Sequence, residues 1–389
     1  MGQKLEFVER AEKGESVSAL CRTYGISRTT GHKWLKRFKE CGADGLEEES
    51  RRPTSAPLST AEDIVIAILE SREAHPTWGP RKLEVLLRRK LKKKTPSART
   101  IARVLTRASK IRKRRRQRPP TVVERAPQVL AMAPNDVWTV DFKGWWRTAD
   151  GERCDPLTIR DARSRYVLAI RLCRQDVKSV KAVFLDLFKK HGVPRAIQCD
   201  NGVPFIAMRA RAGLTALSAW WVSLGIEIAR SRPGNPQDNG GHERMHRDIR
   251  AEVQNKPAMD LPSQQRVLDK WRQTFNHVRP HEALKGKTPA EVYKVKAPRR
   301  LQVLPYIYPF GIELVQVSSK GAFRYQGANY FLSLAVASRE VALETIDDFT
   351  VRAWFYTCDL GTVDVEPQVD ESVYQNFRSI KKEKRKLAA

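Results

Sequence analysis

Three carboxylates, Asp141, Asp200 and Glu243, stand where metal-assisted chemistry could use them. Asp141 directly follows Val137-Trp138-Thr139-Val140 inside a predicted strand, where a charge is rarely placed unless it is paired or metal-bound. Asp200 comes directly after the predicted strand Ala196–Cys199 and before Asn201-Gly202, and open α/β sheets gather ligand sites at such strand ends. Glu243 lies one turn into a predicted helix that follows the loop Arg232-Pro233-Gly234-Asn235-Pro236-Gln237. There it shares a polar face with His246, Arg247 and Arg250, away from the apolar stripe Met245, Ile249 and Val253. Hard divalent cations want oxygen ligands, and three converging carboxylates could hold two ions about 3.5–4 Å apart. One ion would activate a water or a 3′-hydroxyl and the other would stabilise the leaving oxygen. Each acid also has a plainer reading: a buried hydrogen-bonded carboxylate for Asp141, a turn residue for Asp200, an exposed helical charge for Glu243. Asp136, Asp155, Asp161 and Asp238 compete with them and read as turn or cap residues. Spacing alone leaves that choice open.

Charge says what such a site would act on. In 389 residues, 72 Lys and Arg against 44 Asp and Glu leave a net charge of +28. The excess is concentrated: between Arg81 and Arg118 there are eighteen basic residues and one acid, Glu84. Such a block repels itself unless a polyanion neutralises it, and nucleic acid does so with release of counterions. A solvated basic face or an anionic-membrane patch is the alternative. The six cysteines are scattered without a CxxC pair, no apolar signal segment opens the chain, and no apolar run is long enough to span a bilayer. Reduced thiols in a cytoplasmic, nucleoid-associated protein with no membrane partner are the expectation.

The elements that must position these groups fall into blocks. Residues 1–46 read as a helix-turn-helix module: Ser16–Tyr24, the turn Gly25-Ile26-Ser27 with Ser27 as N-cap, then Arg28–Lys39. The second helix offers Arg28, Thr29, Thr30, His32, Lys33 and Lys36 to a DNA groove and Trp34, Leu35 and Phe38 to the core. Residues 47–58 form a linker whose Arg51 and Arg52 suit a minor groove or simply solvent. Residues 59–110 repeat the theme as Ser59–Ala74, Gly79–Lys90 and Ser97–Ser109, the last presenting Arg99, Arg103 and Arg107 as a second recognition helix. A basic connector spans 111–134. Over 135–295, three strands in succession and then alternating helices and strands predict an α/β layer with a mixed sheet. Short strands with Gly turns over 300–366 predict a small β-barrel, and 367–389 a basic tail.

Several motifs recur here in order: Trp138-Thr139-Val140-Asp141-Phe142-Lys143-Gly144, Cys154-Asp155-Pro156-Leu157-Thr158, Asp200-Asn201-Gly202, the run Pro233 to Arg247, Asn276 to Leu284, and Thr288-Pro289-Ala290-Glu291-Val292-Tyr293. With them the chain resembles bacterial insertion-sequence transposases that have a retroviral-integrase-type catalytic domain. The resemblance implies an RNase H-like fold and an Asp-Asp-Glu triad at Asp141, Asp200 and Glu243. It implies two Mg2+ per site, with Mn2+ also suited to carboxylates. It further implies double-stranded DNA as partner, both element ends and target, and a dimer or higher oligomer on that DNA. Forty-two residues separate Asp200 from Glu243, more than is typical of the wider superfamily, and the lengthening is expected over Phe205–Ala219. Lys143, His246, Arg247 and Arg250 are candidate phosphate contacts; salt bridges of Arg247 and Arg250 to Glu243 or Glu252 are the alternative. Asn201 could orient Asp200, and Trp145 and Trp146 read as packing residues. A DNA-binding regulator with a degenerate catalytic domain is the competing function class, disfavoured by three intact carboxylates. A retroviral-type integrase is disfavoured by the missing His/Cys zinc pattern.

Overall fold

The computed structural model describes residues 2–48, 60–92, 95–111, 129–232, 239–295, 297–309 and 311–365. It divides into two compact units, Met1–Ala61 and Glu62–Ala389. The linker arginines Arg51 and Arg52, most of the connector and the basic tail lie outside the described residues.

The first unit has helices α1 (Gly2–Glu12), α2 (Val17–Thr23) and α3 (Arg28–Cys41). Gly25, at φ +62°, turns the chain between α2 and α3, and the Ser27 side chain accepts from Thr30 N as the expected N-cap. Phe7, Val8, Leu20, Cys21 and Leu46 are buried between the helices, with Trp34, Leu35 and Phe38 packed against them. A side chain at Gly31 would meet Cys21 Sγ at 2.7 Å, so the glycine sets how closely α3 approaches. This packing leaves Arg28, Thr29, His32, Lys33 and Lys36 exposed, as a recognition helix requires; the Thr30 hydroxyl is turned back onto Ser27.

The second unit opens with α4 (Glu62–Ala74), α5 (Pro80–Leu91) and α6 (Ala98–Arg107), which bury Ile68, Trp78, Leu83, Leu87, Ile101 and Leu105. Ser97 caps α6 by accepting from Thr100 N, and Arg99, Arg103 and Arg107 are exposed. Part of the basic block answers acids instead: Arg88 meets Glu84, Arg81 meets Glu282 at 2.6 Å, and Arg89 meets Glu291 at 3.0 Å.

The central sheet is β1 (Val137–Phe142), β4 (Pro156–Asp161), β5 (Val167–Leu172), β6 (Ala196–Cys199) and β7 (Glu227–Arg230) in the order β5-β4-β1-β6-β7. The two-residue strands β2 (Trp146–Arg147) and β3 (Arg153–Cys154) form a separate ribbon. Pairings β5–β4 and β4–β1 are antiparallel, and β1–β6 and β6–β7 are parallel, which is the expected mixed sheet of an RNase H-like domain. One face is covered by α7 (Val177–His191) and α8 (Ala216–Ser223) through Trp138, Val140, Leu157, Ile159, Phe184 and Trp221. The other face, with Val167 and Ile170, meets α9 (Gly240–Ile249) and α10 (Leu261–His277) through Met245, Ile249, Leu268, Trp271 and Phe275. α9 runs on into a π-helical turn, Arg250–Gln254. The long insertion expected between Phe205 and Ala219 is an irregular loop, pinned by an Ile206–Leu214 bridge and ending at α8.

β5 is an edge strand, and α10 covers it with side-chain amides. Asn276 Oδ1 accepts from Val167 N and its Nδ2 donates to Val167 O, both at 2.9 Å; Gln265 does the same for Leu172 N and Ile170 O. These amides replace a neighbouring strand at both ends of the edge.

The short helix α11 (Pro289–Val292) closes the domain. Beyond it the expected barrel is not what forms. Among the described residues, β8 (Glu313–Gln316), β11 (Glu340–Asp347), β12 (Thr350–Phe355) and β13 (Cys358–Asp364) make an open antiparallel sheet, β13-β12-β11-β8. β9 (Ala322–Tyr325) and β10 (Ala328–Phe331) pair only with each other. A turn at Gly321 and a 3-10 turn at Leu334–Val336 interrupt the chain on either side of this hairpin. The two sheets share a buried core through Val317, Phe323, Val341 and Phe355 without closing into one ring of hydrogen bonds.

Candidate active site

Strand alternation builds the site. Trp138 and Val140 face α7 and α8, so Thr139 and Asp141 face the other way, toward α9. On β4 the alternation of Leu157 and Ile159 turns Thr158 and Arg160 to that same side, and Thr158 is the register partner of Asp141. The parallel register pairs Thr139 with Gln198, and two residues further it sets Asp200 beside Asp141 at the strand ends. α9 lies over this polar strip.

The Asp141 carboxylate is three-quarters buried, accepts from Asn239 Nδ2 at 3.2 Å, and lies 3.8 Å from His246 Nδ1. Burial, then the charge of Asp200, then that of Glu243 push its pKa up to about 7, against a backbone hydrogen bond from Phe142 that pulls it down. Asp200 and Glu243 are exposed, and Asp200 Oδ1 accepts from Gly202 N at 3.3 Å.

Thr158 organises the residues under α9. Its hydroxyl donates to the Asp141 carbonyl at 2.9 Å and lies 3.1 Å from His242 Nδ1 and 2.8 Å from His246 Nε2. A hydroxyl has one proton, and a carbonyl can only accept, so both imidazoles must donate to Thr158. His242 Nε2 then accepts from the Thr139 hydroxyl at 2.7 Å. His246 is left with its lone pair on Nδ1, toward Asp141. Burial, with nearby Lys143 and Arg160, lowers His246 to about 3, and His242, fully buried, falls well below its ordinary value, so both rings are neutral at physiological pH.

Arg160 is buried beside α9, where a Cβ on Gly241 would stand 2.5 Å from its guanidinium. A side chain at 241 would therefore displace the Arg160 guanidinium.

The expected phosphate contacts divide. Arg247 and Arg250 are exposed, and no salt bridge to Glu243 or Glu252 forms among the described residues. Glu252 instead bonds Trp271 Nε1 and pairs with Arg279, which is buried and also meets Asp248 at 2.7 Å. Lys143 donates to Gln254 and sits 5.2 Å over the Trp146 ring, so it is tethered rather than free. His246 faces the carboxylate and not the surface. Asn201 serves the turn, donating to Ser231 O. Of the competing acids, Asp161 bonds Asn135 N and Ser164, Asp136 pairs with Arg195, and Asp155 pairs with Arg153; Asp238 lies outside the described residues. Trp146 is buried and Trp145 exposed, as packing and surface residues.

Comparison with known proteins places this geometry. An integrase core domain family matches residues 131–236, and a second integrase core domain family matches 224–289. The first segment contains Asp141 and Asp200 and the second Glu243. A helix-turn-helix domain matches 3–54, and a homeodomain-like domain 30–105. The insertion element IS476 uncharacterized 39.2 kDa protein of Xanthomonas euvesicatoria is 28% identical over 286 residues, 72% of this chain and 78% of that one. The insertion element IS407 uncharacterized 31.7 kDa protein of Burkholderia multivorans is 26% identical, over 66% of this chain and 90% of that one. The chain is thus similar to insertion-element proteins over most of its length and to integrase core domains over the segments that carry the three carboxylates. Among solved structures, the HTLV-2 integrase catalytic core domain in complex with magnesium aligns at 18% identity over 42% of this chain and 99% of its own, with a TM-score of 0.32. The simian T-cell lymphotropic virus intasome in complex with a PP2A regulatory subunit aligns at 16% identity over 76% and 99%, with a TM-score of 0.36.

Sequence reasoning missed Thr139, Thr158, Arg160 and His242. A signal for one of them was present. His242-Glu243-Arg244-Met245-His246 has the His-Glu-x-x-His spacing that on other helices binds zinc through both histidines. Asp141, His242 and His246 do place ligand atoms within 4.8 Å of one another, while both ring nitrogens of His242 face threonine hydroxyls.

Proposed function

We propose that this protein is a transposase that binds the terminal repeats of its element through residues 1–118, hydrolyses a phosphodiester at each end, and joins the freed 3′-hydroxyl to target DNA. Asp141, Asp200 and Glu243 are the catalytic carboxylates in this reading. The observation that carries it is the sheet register, which sets Asp200 beside a largely buried Asp141 under α9, the helix whose first turn bears Glu243; the charges of both acids help to raise the Asp141 carboxyl. Among the described residues no lysine or arginine pairs with Asp141: the Arg160 guanidinium lies against Gly241 and Lys143 is turned to Gln254.

Divalent cations, Mg2+ or Mn2+, fit that deficit and supply Lewis acidity to the attacking and leaving oxygens of an in-line displacement. The chain's own residues do the rest. Asp141 is held by the sheet and by Asn239, so its carboxylate is aimed before substrate arrives. Asp200 sits on the adjacent strand end, and Glu243 lies on the first turn of α9, near enough for both charges to act on Asp141. Arg247 on α9 and Arg250 at the start of the π-helical turn that continues it are exposed and could hold the DNA backbone near the scissile bond. Two ends must be processed together, so the active species on DNA is a dimer or larger; strand transfer by a strictly monomeric complex would exclude this.

The decisive test uses labelled duplexes from the DNA flanking the gene, with full-length wild type and Glu243→Gln in Mg2+. Nicking and joining by wild type, with at least a hundredfold loss in Glu243→Gln at undiminished DNA binding, is the expected result. Equal activity of the two proteins would remove Glu243 from the mechanism. Tight binding without reaction by either, in Mg2+ and Mn2+, would favour a DNA-binding regulator.

A further inference from the structure

The Asp-Asp-Glu reading leaves the Thr158–His242–His246 network without a role, although it lies directly beneath Asp141. We propose that His246, through Nδ1, is an additional inner ligand of the cation held by Asp141, and that Thr158 is the positioning residue that fixes its tautomer. The proposal rests on the catalytic reading above and deepens it.

Hydrogen-bond geometry fixes the donor atom. Thr158 must receive the Nε2 proton of His246, because its own proton is given to the Asp141 carbonyl. Nδ1 therefore presents a lone pair toward Asp141 Oδ2, 3.8 Å away. An acceptor nitrogen facing a carboxyl inside the fold leaves a place for one positive species between them, a proton in the metal-free protein and a divalent ion in the loaded one. Two adjacent ligands of an octahedral ion stand about 3 Å apart, so closing the pair on one ion needs a side-chain shift of less than about 1 Å.

Helix geometry gives the second argument. Glu243 and His246 are three residues apart on α9, and i, i+3 side chains share a helix face. A Glu-x-x-His pair on one helix is a known way of sending a carboxylate and an imidazole to one metal centre. His242 lies within 4.8 Å of the same group of ligand atoms, but both its nitrogens are engaged. It supports the network and does not reach the ion.

The second partner on the far ring nitrogen is what fixes a ligating histidine's orientation at metal centres generally, and its removal typically weakens metal binding about 10–100-fold. A hydroxyl tied to the Asp141 backbone is such a partner. An imidazole ligand also shifts selectivity, since nitrogen suits Mn2+ better than Mg2+.

Mn2+ is therefore the probe, with the full-length protein and pulsed electron paramagnetic resonance. The wild-type complex is expected to show the nitrogen coupling of a directly bound imidazole. In His246→Gln the coupling disappears while Mn2+ still binds, about tenfold more weakly or worse. Thr158→Val, which keeps the ring and removes its partner, weakens Mn2+ binding about tenfold. Circular dichroism of each variant checks that it is folded, and the wild-type spectrum is decisive on its own. Mn2+ binding that depends on Asp141 but shows no nitrogen coupling, or coupling that survives in His246→Gln, overturns the proposal and leaves the catalytic reading standing. Absence of any Asp141-dependent Mn2+ binding overturns both.

Discussion

Asp141 and the buried histidines pull the stability of the metal-free protein in opposite directions with pH. Asp141 has its pKa raised to about 7, so its protonated form suits the fold and its charged form does not. Its contribution is fully present below the ordinary aspartate range and is lost as pH rises toward and through 7. His191, at about 4, and His246 and His281, at about 3, are depressed chiefly by burial. The unfolded chain takes up protons on them below about pH 6.5 that the fold refuses, so they cost stability as the solution is acidified. Asp141→Asn isolates the first effect. At pH 8 without metal, Asp141→Asn is expected to melt several degrees above wild type, at about 2–4 °C per kcal/mol, and the gap should narrow by pH 5. Divalent metal should raise the melting point of wild type and leave the variant unmoved. Identical melting curves at pH 8 would mean that Asp141 is not in an electrostatically strained site.

At the scale of elements, α10 is held to the sheet by amides as well as by Leu268, Trp271 and Phe275. Asn276→Leu keeps the volume but strands the Val167 N–H and C=O on a buried edge. Leaving two backbone groups without partners costs about 1–3 kcal/mol each, and urea denaturation at neutral pH should show a loss in that range or above. A loss under about 0.5 kcal/mol would mean that water replaces the amide. The asparagine also shows where sequence reading stops. Strand periodicity placed β6 at Ala196–Cys199, where it forms, and Asp141 inside β1, because apolar alternation acts locally. Asp141 and Asp200 stood out beside apolar strands, but the choice of the triad over the competing acids came from the family resemblance. Asn276, Thr139 and Thr158 left no such trace: a polar residue that bonds across more than eighty positions looks like any exposed one. Arg160 escaped for the same reason, since only the tertiary placement of α9 buries it. The C-terminal barrel failed because strand content is local while closure depends on which edges meet, and the Gly321 turn and the Leu334–Val336 turn divert the hairpin from the larger sheet.

For the whole molecule, the net charge of +28 suits a polyanion, and the number of phosphates neutralised sets the salt dependence of binding. Only those side chains that meet phosphates contribute to it, and the described residues separate the candidates. Arg81 and Arg89 already face Glu282 and Glu291, in exposed pairs that are weak on their own but place each arginine beside a carboxylate. Arg99, Arg103 and Arg107 lie four residues apart along α6, all exposed, on a helix whose other face is fixed in the core by Ile101 and Leu105. If α6 is a recognition helix, converting these three to alanine removes two or three phosphate contacts. The slope of log K against log salt should then fall by about 2–3, because each contact releases close to one counterion. Arg81→Ala with Arg89→Ala should change the slope by less than about 1. The loss in affinity should be similar on element-end and unrelated duplexes if the arginines read phosphate, and larger on the element end if any of them reads a base edge. An unchanged slope for the triple variant would show that α6 faces solvent in the complex and that the DNA-binding charge lies elsewhere, with Arg28, Lys33 and Lys36 of α3 as the next set to remove.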